Sequence, residues 1–312
     1  MINSSSKVIG AKAPVAPRIE WAWFRVRQAC RRSVVLAVSA IYAALRLPRV
    51  CLSRTSRRGN WIVLYYHSVK DKDRQRFAAQ VALIAKHSKV VPASYQGYPI
   101  PGERLVSLTF DDAFVSVARN ALPAIAQEMC HMTIFVPTKY LGRSPEWVAN
   151  SLHEDTDEKI MSAVELCSLP PDLVAFGSHS VTHTRFAALT AEERRKELVE
   201  SKSRMEEILQ RPVTMFSYPY GEGLPGDVEL ATAAGYDHVF TNVPEVASES
   251  RVPYQYGRVP ASATDTRLEM ILKLNGAYGW LPRAIRVKRV LRAFIRKELA
   301  VILQTFSSAT HT

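Results

Sequence analysis

Cysteine is scarce in this chain, and its arrangement excludes two classes of small, cross-linked domain. The 312 residues include four cysteines, with no C-x-x-C pair and no short, regular spacing between them. Structural zinc sites and disulfide-rich scaffolds both depend on such spacings, so neither class fits. One incidental disulfide is compatible with these positions, and the redox compartment therefore stays open. The four are Cys30, Cys51, Cys130 and Cys167.

A long apolar run is also lacking. The uncharged stretch at 33–45 is 13 residues long, whereas a helix that spans a membrane needs about 20 apolar residues. A secretory signal fits this length, because its apolar core spans about 7–15 residues, but the basic segment before it is long for a signal peptide. An interfacial helix with Trp21 and Trp23 at head-group depth explains the arginines and aromatics together, and we favour it.

Two familiar enzyme motifs are missing or incomplete. The sequence contains no G-x-S-x-G, which excludes the nucleophile turn of an α/β-hydrolase. Residues 221–226 do spell G-x-G-x-x-G, but Pro225 interrupts the turn in which a dinucleotide-binding helix would begin. We therefore predict a loop at this point, followed by a helix that starts after Asp227 as its cap.

Positive charge is in excess, and it is concentrated at the two ends. The net charge is +12, with +11 in residues 1–60, −6 in residues 61–266 and +7 in residues 267–312. Two basic ends on an acidic body indicate an anionic partner, and we expect a membrane surface rather than nucleic acid.

The C-terminal tail has apolar residues on one helical face and basic residues on the other, so it either docks on the body of the protein or faces the membrane. We favour the membrane. The apolar positions are Val287, Leu291, Phe294 or Ile295, and Ile302.

Short apolar runs alternate with helix-like stretches in the central region. Helix-like stretches occupy 114–128 and 190–210, and the second opens with a capping box from Thr190 to Glu193. This alternation predicts an α/β fold with a mostly parallel sheet, closed as a distorted (β/α)7-type barrel with basic helical extensions at both ends. The seven apolar runs lie at 61–66, 105–110, 132–136, 173–177, 213–218, 238–241 and 256–259.

Acidic residues and histidines follow two of these runs. Asp111 and Asp112 come directly after the second run, and His179 and His183 come after the fourth. Two imidazoles and one carboxylate suit a zinc-type ion and leave positions open for water and substrate. The H-x-x-x-H spacing lets both rings reach one ion if the loop coils into a helical turn. The remaining carboxylate can then act as a general base in a hydrolytic metal site.

Three motifs resemble those of the polysaccharide deacetylase (NodB-homology) family of carbohydrate esterases. Residues 109–112 (T-F-D-D) look like the first motif, and residues 179–183 (H-S-V-T-H) match the second, H-[ST]-x-x-H. Residues 216–221 (F-S-Y-P-Y-G) resemble the third, whose Pro-aromatic-Gly core lines the pocket. The resemblance covers about residues 61–265 and leaves the basic ends outside it.

The resemblance implies a role for each motif residue. Asp111 would be the general base, and the Tyr220 backbone N–H would help to hold the oxyanion. The divalent ion would be zinc, with cobalt or manganese as alternatives, and its ligands would be Asp112, His179 and His183. The residues that would line the substrate pocket are Tyr218, Pro219 and Tyr220.

Two residues of the family pattern are displaced in this sequence. The family's late L-x-H histidine is missing, since His311 is the sole histidine after Arg258. His67, at the end of the first run, resembles the Tyr-His motif of a permuted branch that includes poly-N-acetylglucosamine deacetylases. It is our candidate general acid, with a core histidine as the alternative. Ser217 stands where many members have an arginine that braces the catalytic Asp, and we expect Arg258 to replace it, with a surface arginine as the alternative.

The sequence therefore predicts a metal-dependent hydrolase that removes an N-acetyl group from an amino sugar of a polysaccharide or lipid-linked glycan. A deformylase of a lipid-linked aminosugar is an alternative, as is an inactive carbohydrate-binding or scaffold protein. We expect a basic N-terminal extension with a short apolar helix (1–58), a catalytic domain (59–266) and a basic amphipathic extension (267–312). A peripheral position on the cytoplasmic face of the membrane is favoured over export to the periplasm or cell envelope.

Overall fold

A computed structural model describes residues 18–52, 59–148, 155–250 and 252–288. Its helices are α1 (Arg18–Leu52), α2 (Arg74–His87), α3 (Leu122–Gln127), α4 (Ala163–Ser168), α5 (Ala191–Leu209), α6 (Asp227–Ala233) and α7 (Arg267–Leu274). Its strands are β1 (Asn60–Tyr66), β2 (Lys89–Val90), β3 (Arg104–Phe110), β4 (Met132–Val136), β5 (Val174–Ser178), β6 (Met215–Ser217), β7 (His238–Thr241), β8 (Gln255–Gly257) and β9 (Val259–Pro260).

The strands form one parallel sheet that is nearly closed into a barrel. Their order is β8-β7-β6-β5-β4-β3-β1-β9, with β2 paired to the start of β3. Strands β8 and β9 lie at opposite ends of this order, yet Arg258 alone separates them in the chain. The two edges of the sheet therefore meet at Arg258, with helices packed around the outside. The predicted α/β fold of the (β/α)7-barrel type is confirmed.

Six of the seven predicted runs coincide with a strand to within two residues, and the seventh is divided by Arg258 into β8 and β9. The predicted capping box of α5 is formed, since Thr190 and Glu193 exchange hydrogen bonds between side chain and backbone. The sequence predicts one regular helix at 114–128, but the structure shows an irregular one. It opens into a wider π-type turn at 117–121 before α3, because the ring of Pro123 in the first turn of α3 crowds the preceding turn.

Helix α1 differs from the short apolar helix that the sequence predicts. It is a continuous helix of 35 residues, and one of its faces packs on the barrel. Arg32 donates to Glu269 on α7 at 2.6 Å, and the indole N–H of Trp280 donates to Ser39 at 3.0 Å. No helix in the described residues is long and apolar enough to cross a membrane.

Some expectations fall on parts that the structure does not describe. The side chains of Trp21 and Trp23 lie outside the described residues, as do residues 289–312, which hold most of the predicted amphipathic tail. The three-part division of the chain stays a prediction.

The interior of the barrel is apolar at its base and polar at its carboxyl edge. The base is filled by one cluster of buried side chains that includes Trp61, Leu105, Phe135 and Phe240. Alternate residues of the same strands face outward and pack under the helices in a second, larger cluster. The polar side chains at the carboxyl ends of the strands therefore lie directly above a packed apolar cluster that excludes water. The buried polar side chains include Thr109, Asp111, Asp112, His179, Ser217 and Arg258.

Candidate active site

Asp112, His179 and His183 come together as a buried three-residue cluster. One ligand atom from each lies within 4.8 Å of the others. Asp112 Oδ1 is 3.2 Å from His183 Nε2 and 3.8 Å from His179 Nε2. This buried oxygen has no hydrogen-bond partner among the described residues, which is costly unless a cation satisfies it. The donor set and the orphaned oxygen fit a divalent metal ion.

The orientation of His179 is fixed by the neighbouring strand. Its Nδ1 lies 2.8 Å from the carbonyl oxygen of Ser217 at the end of β6. A carbonyl can only accept, so Nδ1 carries the proton and Nε2 turns its lone pair toward Asp112. Burial lowers the pKa of His179 to about 4, which keeps the ring in the neutral form that binds a metal.

The loop that carries both histidines does not coil into the helical turn that the H-x-x-x-H spacing suggested. Ser180 and His183 instead adopt left-handed backbone conformations, with φ of 67° and 55°. Glu197 on α5 holds the loop by accepting from the backbone N–H groups of Val181 (2.7 Å) and Thr182 (2.9 Å). No local pattern in the sequence marks Glu197, because its partners lie on a loop whose shape the sequence does not show.

Asp111 and Arg258 form a buried bidentate pair. The two guanidinium nitrogens donate to the two carboxylate oxygens, each at 2.7 Å, and both side chains are almost wholly buried. Burial raises the pKa of Asp111, but the charge and hydrogen bonds of Arg258, with help from His179, outweigh it and lower that pKa to about 2. Asp111 is thus ionised and held in one orientation.

Arg258 takes up the space that a larger residue at position 217 would need. Its Nη2 donates to Ser217 Oγ at 2.8 Å and to Asn242 Oδ1 at 2.7 Å. The guanidinium also lies 4.8 Å from the ring centre of Tyr65, within range of a cation–π contact. Arg258 therefore lies between Asp111 and Ser217. The contact with Asn242 was not predicted.

The turn at 219–221 lies against the same residues. Tyr220 has a left-handed backbone with φ of 60°, and the backbone N–H of Asn242 donates to Gly221 O at 3.1 Å. A Cβ atom on Gly221 would come within 2.1 Å of the Asn242 Cβ. Asn242 thus touches both Arg258 and the turn that carries Tyr220.

The three residues predicted to line the pocket divide into two groups. Tyr220 is 39% exposed, and its ring lies 5.0 Å from that of His183. Pro219 is buried beneath it. Tyr218 is fully buried, with its ring edge-on to Phe186, so its side chain has no surface to offer a substrate. Its predicted substrate contact is corrected to a supporting position under the turn.

The rim of the site includes His67 and Trp147. His67 follows β1 at the same edge of the barrel and is partly buried. The ring of His67 lies edge-on to that of Tyr65, with 5.8 Å between the ring centres, and Tyr65 also contacts the guanidinium of Arg258. The ring of Trp147, not anticipated from the sequence, stacks on that of His183 at 4.0 Å between centres.

The sequence model of one family, described as polysaccharide deacetylase, matches residues 99–239. This range includes Asp111 and Tyr220. It also includes Asp112, His179 and His183, called here the metal-type cluster. The chain is therefore similar to the polysaccharide deacetylase family over this part of its length. His67 and Arg258 lie outside the matched range, and their roles stay predictions.

A curated protein similar to this chain is YxkH of Bacillus subtilis (strain 168), which is named as a polysaccharide deacetylase. It is 25% identical over 162 residues, which are 52% of this chain. The match spans 53% of YxkH, about half the length of that curated relative.

Two solved structures share the fold. IcaB from Ammonifex degensii is 23% identical, with a TM-score of 0.58 over 70% of this chain and 97% of its own. The Streptococcus pyogenes deacetylase PplD, solved with acetate, is 16% identical, with a TM-score of 0.56 over 70% and 98%.

Proposed function

We propose that this chain is a metal-dependent hydrolase that removes the acetyl group from an N-acetylated amino sugar of a polysaccharide or lipid-linked glycan. One observation carries the proposal. A buried donor set suited to a divalent metal ion lies directly beside a carboxylate that a buried arginine keeps ionised and oriented. Hydrolysis of an amide needs both parts, an electrophilic centre and a base for the attacking water.

Asp112, His179 and His183 are the proposed ligands, with zinc as the proposed ion and cobalt or manganese as alternatives. When bound there, such an ion polarises the acetyl carbonyl and acidifies a water molecule. His179 is already oriented for this role, because Ser217 O holds its other ring nitrogen.

Asp111 is the proposed general base. Each of its carboxylate oxygens accepts one N–H from Arg258 and keeps further lone-pair capacity for the proton of the attacking water. Because Arg258 is itself held by Ser217 and Asn242, the carboxylate cannot rotate away from that water. Orientation of this kind is a large part of what an enzyme contributes to a bimolecular step.

The remaining steps need an oxyanion donor and a proton for the leaving amine. The backbone N–H of Tyr220 is proposed for the first, and His67 for the second. The water oxygen bonds to the acetyl carbon, the carbon–nitrogen bond breaks, and the sugar nitrogen receives a proton from His67. Acetate and a free amino sugar are the products. A formyl group would react through the same residues, so the released acid identifies the acyl group.

Release of amine and acid from N-acetylglucosamine oligomers tests this function. We expect the purified full chain to release equal amounts of amine and acetate, to lose activity after chelation and to regain it with zinc or cobalt. Asp111→Asn removes the base, and we expect it to lower the rate by at least about 10²-fold. The matched control is Asp172→Asn, an exposed carboxyl. Full activity in Asp111→Asn would refute the assigned base, and release of formate from N-formylated oligomers alone would favour the deformylase.

A further inference from the structure

Helix α1 is apolar on two opposite faces, and the barrel covers one of them. Val35, Leu36, Ala40 and Ala43 pack against the core. On the other side, four apolar residues recur at spacings of four, three and four, which at about 100° per residue places them on one narrow stripe. This stripe, called here the outer face, consists of Val34, Val38, Ile41 and Leu45, which are 61%, 36%, 60% and 70% exposed.

The outer face is fixed in position relative to the barrel. Arg32 is bonded to Glu269 at 2.6 Å, and Ser39 is bonded to Trp280 at 3.0 Å. Both residues lie on the covered side of α1, so rotation of the helix to bury the outer face would break both contacts. Within the described part of the chain, the stripe stays exposed, whereas exposed apolar residues in soluble proteins are usually scattered singly.

Positive charge lies next to the outer face. Among residues 24–45 of α1, whose side chains the structure describes, four are arginines (Arg25, Arg27, Arg31 and Arg32) and none is acidic. The helical segment 281–288 begins beside α1, at Trp280, and its sequence holds no acid. Its exposed residues are both basic and apolar, the same combination as on α1. They are Arg283, Ile285, Arg286, Val287 and Lys288.

We propose that the outer face of α1 and the segment 281–288 bind the surface of an anionic lipid bilayer. An exposed apolar stripe between arginines matches a surface whose interior is apolar and whose head groups are negative. The apolar side chains enter between the head groups, and the arginines contact lipid phosphates. A protein partner would need an acidic, concave surface of matching length, whereas an anionic bilayer offers negative head groups and an apolar interior along the whole helix.

This orientation has a consequence for the active site that rests on the proposed function. Arg25, near the start of α1, lines a cleft together with Lys70 and Ser116. Lys70 lies three residues after His67 in the chain, and Ser116 lies four residues after Asp112. One end of the membrane-binding helix therefore reaches the catalytic edge of the barrel. Binding through α1 holds that edge near the head groups, where a lipid-linked glycan would be presented.

Vesicle flotation with the full chain tests the proposal independently of any hydrolysis. We expect strong binding to vesicles of phosphatidylcholine with phosphatidylglycerol and weak binding to phosphatidylcholine alone. Val34→Gln with Ile41→Gln removes apolar contacts and keeps the helix, so binding to the anionic vesicles should fall about tenfold. The matched control is Val164→Gln with Val199→Gln, two exposed valines on α4 and α5, which should bind like the native chain.

A second pair of variants separates charge from apolar contact. Arg27→Gln with Arg283→Gln should lower binding to anionic vesicles and weaken its dependence on salt, because fewer head-group contacts remain. Arg195→Gln with Arg204→Gln, which alters exposed arginines on α5, should not. Native binding by the Val34/Ile41 variant would overturn the proposal.

Two further outcomes would overturn it by showing another occupant of the outer face. If the Val34/Ile41 variant loses thermal stability and binds vesicles normally, the face is covered within the chain, by residues 289–312. If light scattering shows a dimer that these substitutions dissociate, the face binds a second copy. Loss of vesicle binding with unchanged melting temperature and mass is the result that supports a bilayer.

Discussion

At the scale of single residues, the site depends on a buried arginine that comes from an unexpected place in the chain. Arg258 lies between β8 and β9, where the two edges of the sheet meet, and its guanidinium reaches Asp111, Ser217 and Asn242. A buried ion pair is tolerated when its hydrogen bonds are satisfied, and removal of one partner leaves a charge without compensation. Arg258 therefore both closes the barrel and keeps Asp111 ionised.

This dependence predicts a stability effect that can be reversed. Arg258→Met leaves the Asp111 carboxylate buried and unpaired, so we expect the free energy of unfolding to fall by about 3–5 kcal/mol in urea titrations. Addition of Asp111→Asn should recover a large part of that loss, because the lone charge is gone. Arg204→Met, at an exposed arginine, is the control and should cost less than about 0.5 kcal/mol. A double variant no more stable than Arg258→Met would contradict this account.

Gly221 offers a second test at this scale. It has φ of 70°, and an added Cβ would meet the side chain of Asn242. We expect Gly221→Ala to displace the turn that carries Tyr220, lowering both stability and the rate of deacetylation. The control is Gly102→Ala, where φ is 87° but no atom lies within 4 Å, so that backbone strain alone, about 1 kcal/mol, remains. Equal losses of stability in the two variants would show that the contact with Asn242 is unimportant.

At the scale of elements, Glu269 on α7 forms an ion pair with Arg32 of α1, in addition to the apolar contacts of α1 with the barrel. Burial raises the pKa of Glu269, but hydrogen bonds from the side chain of Arg32 and the N–H of Thr266 have the larger effect. Together they lower this pKa to about 2. The pKa of this group is thus depressed on folding. Its contribution to stability is present above the ordinary Glu value of 4.5 and is lost as the pH falls from there toward about 2.

The pH dependence of Glu269→Gln follows from this shift. Gln preserves the capping box with Thr266 but not the ion pair with Arg32. We expect the variant to melt about 2–4 °C below the native chain at pH 7, with the difference shrinking below about pH 4.5. Differential scanning calorimetry at several pH values measures it. Glu192→Gln, which breaks an exposed pair with Arg195, should show no such trend, and a difference independent of pH would exclude the ion pair as the cause.

At the scale of the whole molecule, the features that the sequence predicted are those set by short-range pattern. Apolar runs located the strands because a buried parallel strand needs a continuous apolar stretch. The capping box located the start of α5 for a similarly local reason. Strand-end positions brought Asp112, His179 and His183 to one edge, because parallel strands end together.

The features that the sequence did not predict depend on residues far apart in the chain. The support of the histidine loop by Glu197, the covering of α1 by α7 and the contact of Asn242 with Arg258 each required the folded arrangement. The left-handed conformations of Ser180 and His183 are a further example. Neither residue is glycine, so no local signal marks a positive φ at these positions.

The metal-type cluster joins two separate parts of the barrel, and this makes the stability of the whole molecule a test of metal binding. Asp112 follows β3, whereas both histidines follow β5, so an ion held by all three links loops that are otherwise connected through β4. Because a ligand that binds the folded state alone raises stability by RT ln(1 + [L]/Kd), saturation at about 100-fold above Kd adds about 2.7 kcal/mol.

We expect zinc to raise the melting temperature of the chelated protein by several degrees. His183→Gln should abolish this rise, while His87→Gln, which alters a histidine at the end of α2, should not. A rise that survives in His183→Gln would place the zinc elsewhere, whatever the outcome of the activity assays.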